Sequence, residues 1–206
     1  MGLPLTRTVG AHVSRDPQRA VADEHPGAEV EIWASDEHRI GLKPITRGVW
    51  APIGKRPVAF GHHRFEWLSV TGFVEPASGR TVWNVSNGIS KAYFELVLAD
   101  FAKSVGAGPN KRIVLQLDNA GWHGPENLTV PDGIRLVFQP AHSPELQPAE
   151  HLWPFVDEPL VNRYFETIED LDKVSASAAS LSCSRLKRSA PARSSIGGRA
   201  CTPRLR

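Results

Sequence analysis

The stretch IVLQLDN, Ile113 to Asn119, decides how the rest of the chain is read. A nearly continuous apolar run ends in an acid and an amide. That is the form of a strand covered on both faces, which presents polar side chains at its C-terminal end. Upstream, Ser90 is a plausible N-cap for a helix that places Phe94, Val97, Leu98, Phe101 and Val105 on one face, with Gly106 and Gly108 just past its end. Downstream, after a loop with Trp122 and His123, Ile134 to Phe138 reads as one more short strand.

Further out, Val30, Ile32 and Ala34 alternate with Glu29, Glu31, Trp33 and Ser35, the period-two pattern of a half-buried strand expected to end at Asp36 and Glu37. VWAPIGKRPVAF (Val49 to Phe60) carries a Gly-Lys turn between prolines. The segment from Phe65 to Gly88 reads as two strands around a Pro-Ala-Ser-Gly turn, so an antiparallel meander is expected here. In the late segment AEHLWPFVDEPL, Pro154 removes a helical hydrogen bond, which predicts a kinked or broken helix followed by a second one through Glu166 to Ala179. The order of elements gives an α/β protein, a mixed sheet with helices on its faces.

Residues 1–28 read as a leader or linker, with at most a short helix between Asp16 and Glu24, and residues 29–181 as the folded domain. Residues 182–206 carry seven basic side chains, no acids and no apolar periodicity, and are expected to be disordered. Removing that tail leaves 17 basic against 22 acidic side chains in residues 1–181. An acidic body does not grip phosphate by itself, because such affinity comes from clustered Lys and Arg. No stretch approaches the roughly 20 apolar residues of a membrane span, and the first thirty lack the pattern of a secretory signal. Both cysteines, Cys183 and Cys201, lie in the tail, which excludes disulfide scaffolds, zinc–cysteine sites and cysteine nucleophiles from the body.

Three acids stand at the ends or first turns of elements: Asp36 after the first strand, Asp118 after the apolar strand, and Glu150 at the start of the late helix. If the two strands are neighbours, Asp36 and Asp118 project from adjacent C-terminal edges, and a helix crossing that edge brings Glu150 to them. Three close carboxylates repel one another unless a cation lies among them, and Mg²⁺ or Mn²⁺ suits hard oxygen ligands best. Such a site commonly holds two ions spaced for in-line phosphoryl transfer. Against this stands the reading of each aspartate as a turn former bonded to local backbone.

The strings LDNAGWH (Leu117 to His123) and HSPELQPAEHLW (His142 to Trp153), with EIWASDEHRIGLKP (Glu31 to Pro44) and GFVEPASGRTVW (Gly72 to Trp83), resemble the bacterial insertion-sequence branch of the mariner-like DDE transposases. The similarity spans roughly residues 28–175. It implies a ribonuclease H-like fold with a mixed five-stranded sheet, and Asp36, Asp118 and Glu150 as catalytic and metal-binding residues using Mg²⁺ or Mn²⁺, two ions in all. The implied activity is DNA strand cleavage and transfer at insertion-sequence ends. DNA and a second copy of the chain are the implied partners, and the nucleoid-associated cytoplasm is the implied location. Gln147 stands where the family commonly has Asn, and Ala149 where a larger aliphatic is frequent. Relatives carry an N-terminal helix-turn-helix that nothing before Glu29 matches, so a truncated catalytic domain with a frame-shifted tail is expected. The alternative is a catalytically silent remnant that binds DNA or a partner weakly. A ribonuclease H-like nuclease unrelated to transposition would lack the Ser-Pro-Glu-Leu string.

Asn119 and His123 are candidate supporting residues, for orienting a phosphate or metal-bound water. Trp122 and Trp153 lie near triad acids and can stack on a base, although core packing is the better expectation for tryptophans spread along the elements. Lys43, Arg47, Lys55 and Arg56 are candidates for lining a DNA path. His62, His63, His123, His142 and His151 follow no zinc spacing.

Overall fold

The computed structural model describes residues 15–118, 128–140 and 143–175. Helix α1 (Arg15–Glu24) precedes strands β1 (Glu29–Gly41), β2 (Trp67–Glu75) and β3 (Arg80–Ser86). Helix α2 (Lys91–Val105), β4 (Lys111–Leu117) and β5 (Ile134–Phe138) follow. Two 3₁₀ turns, Pro144–Leu146 and Pro148–Leu152, then lead into the short α3 (Trp153–Asp157), and the chain is helical again over 168–175. The five strands make one mixed sheet in the order β3-β2-β1-β4-β5.

The expected helix around Phe94 forms as its sequence dictates. Ser90 accepts the Tyr93 backbone N–H, and Gly106 ends the helix in the left-handed region at φ 73°. Its buried face, with Phe94, Leu98 and Phe101, packs on Trp33, Phe73, Ile113, Leu115 and Leu117 of the sheet. Phe101 stacks on Phe73 at 4.2 Å and meets Trp33 edge-on at 5.1 Å. On the opposite face Ala34, Ile40, Leu68, Val70 and Val74 meet Ala149, Leu152, Val156, Leu160 and Leu171 from the C-terminal segments. β4 is thus buried on both faces, as its unbroken apolar run requires.

β1 departs from the expected strand in two ways. It does not stop at Asp36 but runs to Gly41, because it changes partner along its length. Its first half pairs parallel with β4 from Glu29 to Ala34, and its second half pairs antiparallel with β2 from Ala34 to Gly41. Nor is one face wet, since α2 covers the odd-numbered side and leaves Trp33 and Ser35 buried. Glu31, 8% exposed, is accommodated there by Lys111 at 2.7 Å, the Trp33 indole N–H at 2.9 Å and an ion pair with Arg80. Burial alone raises the Glu31 pKa, but those three partners together bring it below the ordinary carboxylate value.

The turn in VWAPIGKRPVAF forms, with the Lys55 N–H bonded to the Pro52 carbonyl and Gly54 at φ 82°, yet no strands flank it. Pro44, Pro52 and Pro57 remove ladder donors, and the segment 43–66 links β1 to β2 as an irregular loop. The β2–β3 hairpin forms as expected, closed by the Pro-Ala-Ser-Gly turn with Gly79 at φ 70°. The break around Pro154 is also present: the 3₁₀ turn gives way to α3 at Trp153, so Pro154 falls in a first helical turn, where its missing N–H costs nothing. α1, the short helix the sequence allowed, buries Val21, and its Gln18 side chain donates to the Val30 carbonyl. The tail 182–206 lies outside the described residues.

Candidate active site

The last parallel pair between β1 and β4 is Ala34 with Gln116. One step further on the same face of each strand stand Asp36 and Asp118. The register therefore puts the two acids side by side where the strands begin to part, and the Asp118 charge acts on Asp36. Asp36 is held above the ordinary aspartate range chiefly by burial, with the charges of Glu37 and Asp118 adding to it. Hydrogen bonds from the Trp153 indole and the Glu37 backbone N–H oppose the shift without reversing it.

The segment carrying Glu150 is fastened to this gap by two amide side chains. Gln147, 3% exposed, donates to the Ser35 carbonyl at 2.9 Å, serving a β1 acceptor one residue past the last β4 partner. In return Gln116 of β4 donates to the Leu146 carbonyl at 2.6 Å. Ala149 and Leu152, both fully buried, then seat the 3₁₀ turn Pro148–Leu152 on the face of the sheet that bears Asp36. Glu150 lies between these anchors, with its side chain exposed. The turn that carries Glu150 thus lies on the same face of the sheet as Asp36, but the Glu150 side chain is not grouped with the other two acids. Among the described residues no group of three His, Cys, Asp or Glu side chains is close enough to hold a metal ion.

Trp153 is not a free platform for a base. Its indole donates to Asp36 Oδ2 at 2.9 Å, its ring stacks on His38 at 5.0 Å, and Trp83 meets it edge-on at 6.2 Å. His38 Nε2 lies 2.8 Å from Asp157 Oδ1, so β1 and α3 are tied on both sides of the indole. Arg47 is engaged by Glu158 at 2.5 Å and by the Asn162 side chain on its backbone, whereas Lys43, Lys55 and Arg56 are exposed. Asn119, Trp122, His123 and His142 lie outside the described residues. Sequence reasoning passed over Gln116 and the polar role of Trp153, and noted Gln147 only as a departure from the family pattern, without its bond to β1. The available signal was a glutamine between Leu146 and Pro148, a polar side chain in a segment that otherwise docks by apolar contact.

Two carboxylates on adjacent strands, one of them mostly buried, fit a hard divalent cation, which offsets both the desolvation of Asp36 and its repulsion from Asp118. Glu150 fits as a third oxygen donor only if its side chain turns toward the pair.

Residues 31–172 match the family described as DDE superfamily endonuclease. An uncharacterized protein of Sinorhizobium fredii is 39% identical over 106 residues, which cover 51% of this chain and 77% of that protein. The fold is similar to that of the Mos1 transposase in a pre-cleavage transpososome, with TM-score 0.53 and 14% identity over 83% of this chain and 58% of that one. It is likewise similar to the Mos1 mariner paired-end complex with Mn, with TM-score 0.51 and 14% identity over 78% of this chain and 54% of that one. The chain thus spans little more than half the length of these Mos1 chains. The shared architecture is the ribonuclease H-like fold, a mixed five-stranded sheet with flanking helices.

Proposed function

The chain belongs to the DDE superfamily endonucleases, and on that premise we propose that it is a transposase catalytic domain that cuts and joins DNA strands at insertion-sequence ends. The observation that carries this reading is the alignment of Asp36 with Asp118 at the parting of β1 and β4, with Glu150 held to the same edge. Asp36, Asp118 and Glu150 are the proposed ligands of Mg²⁺ or Mn²⁺, two ions in all. When bound, such ions activate a water or a 3′-hydroxyl and neutralise charge on the leaving oxygen. The protein's own part is to hold Asp36 in a fixed orientation, to keep Asp118 beside it, and to present Glu150 from a turn clamped to the sheet. Asn119, next to Asp118 in the chain, and His123, five positions after it, are proposed as supporting residues.

The proposed partners are DNA and, for paired cutting of two ends, a second copy of the chain. Trp50 and Ile53, fully exposed on the loop between β1 and β2, are the apolar surface to test for that contact. The proposed site of action is the nucleoid in the cytoplasm; among the described residues no helix is long and apolar enough to cross a membrane.

That Glu150 is exposed and not grouped with the other two acids favours a second reading, a silent remnant that keeps the fold and binds DNA or a partner weakly. A nicking assay on supercoiled plasmid with Mn²⁺ separates the two. Wild-type protein nicks and Asp118→Ala does not if the first reading holds. Equal, background-level nicking by both supports the remnant.

A further inference from the structure

Asp36 and Gly72 face each other across the β1–β2 ladder. A Cβ on Gly72 would stand 3.0 Å from Leu152 Cδ1 and 3.2 Å from both Trp153 Cη2 and Trp83 Cζ3. The absent side chain is therefore the floor of a slot into which the Trp153 indole fits. His38 forms one wall by stacking on the ring, and Trp83 another by edge contact. Asp157 anchors His38 from α3, so the wall is itself fixed. Seated this way, the indole N–H reaches Asp36 Oδ2 at 2.9 Å.

An indole N–H is a donor with no acceptor capacity, so it can bond only the carboxylate and never replaces it at a cation. It fixes Asp36 through Oδ2, while the Glu37 backbone N–H bonds the same carboxylate, and the remaining acceptor capacity of the two oxygens is what a cation beside Asp118 would use. A carboxylate pinned by a donor from a locked ring loses its freedom to rotate before any ion arrives. Partners that orient a ligating side chain in this manner typically contribute about 10- to 100-fold to metal affinity or activity. The choice of tryptophan also explains the glycine, since any larger residue at position 72 crowds the ring.

We propose that Trp153 is a positioning residue of the metal site: wedged over Gly72 and against His38, it fixes the orientation of the Asp36 carboxylate through Oδ2 and so readies that group, beside Asp118, for a divalent cation. This rests on the reading of Asp36 and Asp118 as cation ligands.

The test is a Mn²⁺ titration of the full chain, with free ion counted by electron paramagnetic resonance, on wild type, Trp153→Phe, Leu171→Val and Asp118→Ala. Trp153→Phe keeps a ring in the slot and removes only the donor. Leu171→Val loosens the same apolar core at a buried residue that forms no part of the slot. The expected result is Mn²⁺ affinity about tenfold weaker in Trp153→Phe, unchanged in Leu171→Val and lost in Asp118→Ala. Equal affinity in wild type and Trp153→Phe overturns the positioning role and leaves the ligand reading standing. A parallel loss in Trp153→Phe and Leu171→Val makes the effect one of packing and also overturns it. Absence of Mn²⁺ binding to wild type overturns both. If Trp153→Phe does not fold, Gly72→Ala replaces it: crowding the slot with the indole still in the chain should weaken binding similarly, and unchanged affinity contradicts the proposal.

Discussion

The Gln147 side-chain amide donates to the Ser35 carbonyl at 2.9 Å, joining the turn that precedes Glu150 to the strand that carries Asp36. The contact is buried and lies where β4 no longer supplies β1 with partners, so the amide completes a ladder that the parting of the strands leaves open. Replacing it with an apolar side chain strands a buried carbonyl. Gln147→Leu is expected to lose about 1 to 3 kcal/mol, a fall in Tm of roughly 2 to 12 °C for a domain of this size. Thermal unfolding by circular dichroism measures it. A change within a degree would show that the turn is held by Ala149 and Leu152 alone.

Glu150 gives the opposite profile. Its side chain is exposed, so Glu150→Gln should leave stability within about 0.5 kcal/mol of wild type. Plasmid nicking should nevertheless fall to background if this carboxylate completes the site. Retained nicking would remove Glu150 from the proposed triad without disturbing the Asp36–Asp118 pair.

Glu31, buried, and Asp36, half-buried, should respond to pH with opposite signs. The folded-state pKa of Asp36 is raised by burial, so the folded chain binds this proton more tightly than the unfolded one, and the ionised carboxylate costs stability above that pKa. In chelator, Asp36→Asn should therefore unfold at a higher temperature than wild type at neutral pH. The asparagine oxygen still accepts the Trp153 N–H, and the gap should close as pH falls below the ordinary aspartate value of about 3.9. Glu31 is lowered instead: its stabilisation is present above the ordinary glutamate value of about 4.3 and is lost as pH falls through the folded pKa. Glu31→Gln should thus be less stable than wild type at neutral pH, with the deficit shrinking in acid. Melting curves between pH 3 and 8 check both, and a Glu31→Gln deficit that grows in acid would contradict the assigned sign.

Much of this was legible in the residues themselves. Ser90, the apolar face from Phe94 to Val105, and Gly106 specify α2 completely, since cap, periodicity and stop signal agree. The apolar run of β4 announced a strand buried on both sides. The alternation along β1 carries no information about its partners, so neither its length nor the burial of its second face could be read from it. The antiparallel ladder with β2 carries it past Asp36, and α2 covers the face that Glu29, Glu31, Trp33 and Ser35 seemed to leave wet. The adjacency of Asp36 and Asp118 was legible in part, because the alternating and apolar runs mark two strands that the fold pairs in parallel. What holds them was not. The bonds from Gln147, Gln116 and Trp153 span between 30 and 117 positions in sequence, and only the folded chain brings their partners together.

The claim that the β1–β4 edge is a cation site is tested most directly by a thermal-unfolding titration with Mn²⁺ on wild type and Asp118→Ala. At ten times its dissociation constant one bound ion adds about 1.4 kcal/mol, or roughly 3 to 6 °C in Tm. The account predicts that rise in wild type and none in Asp118→Ala. Equal shifts in both proteins, or no shift in either, would contradict it.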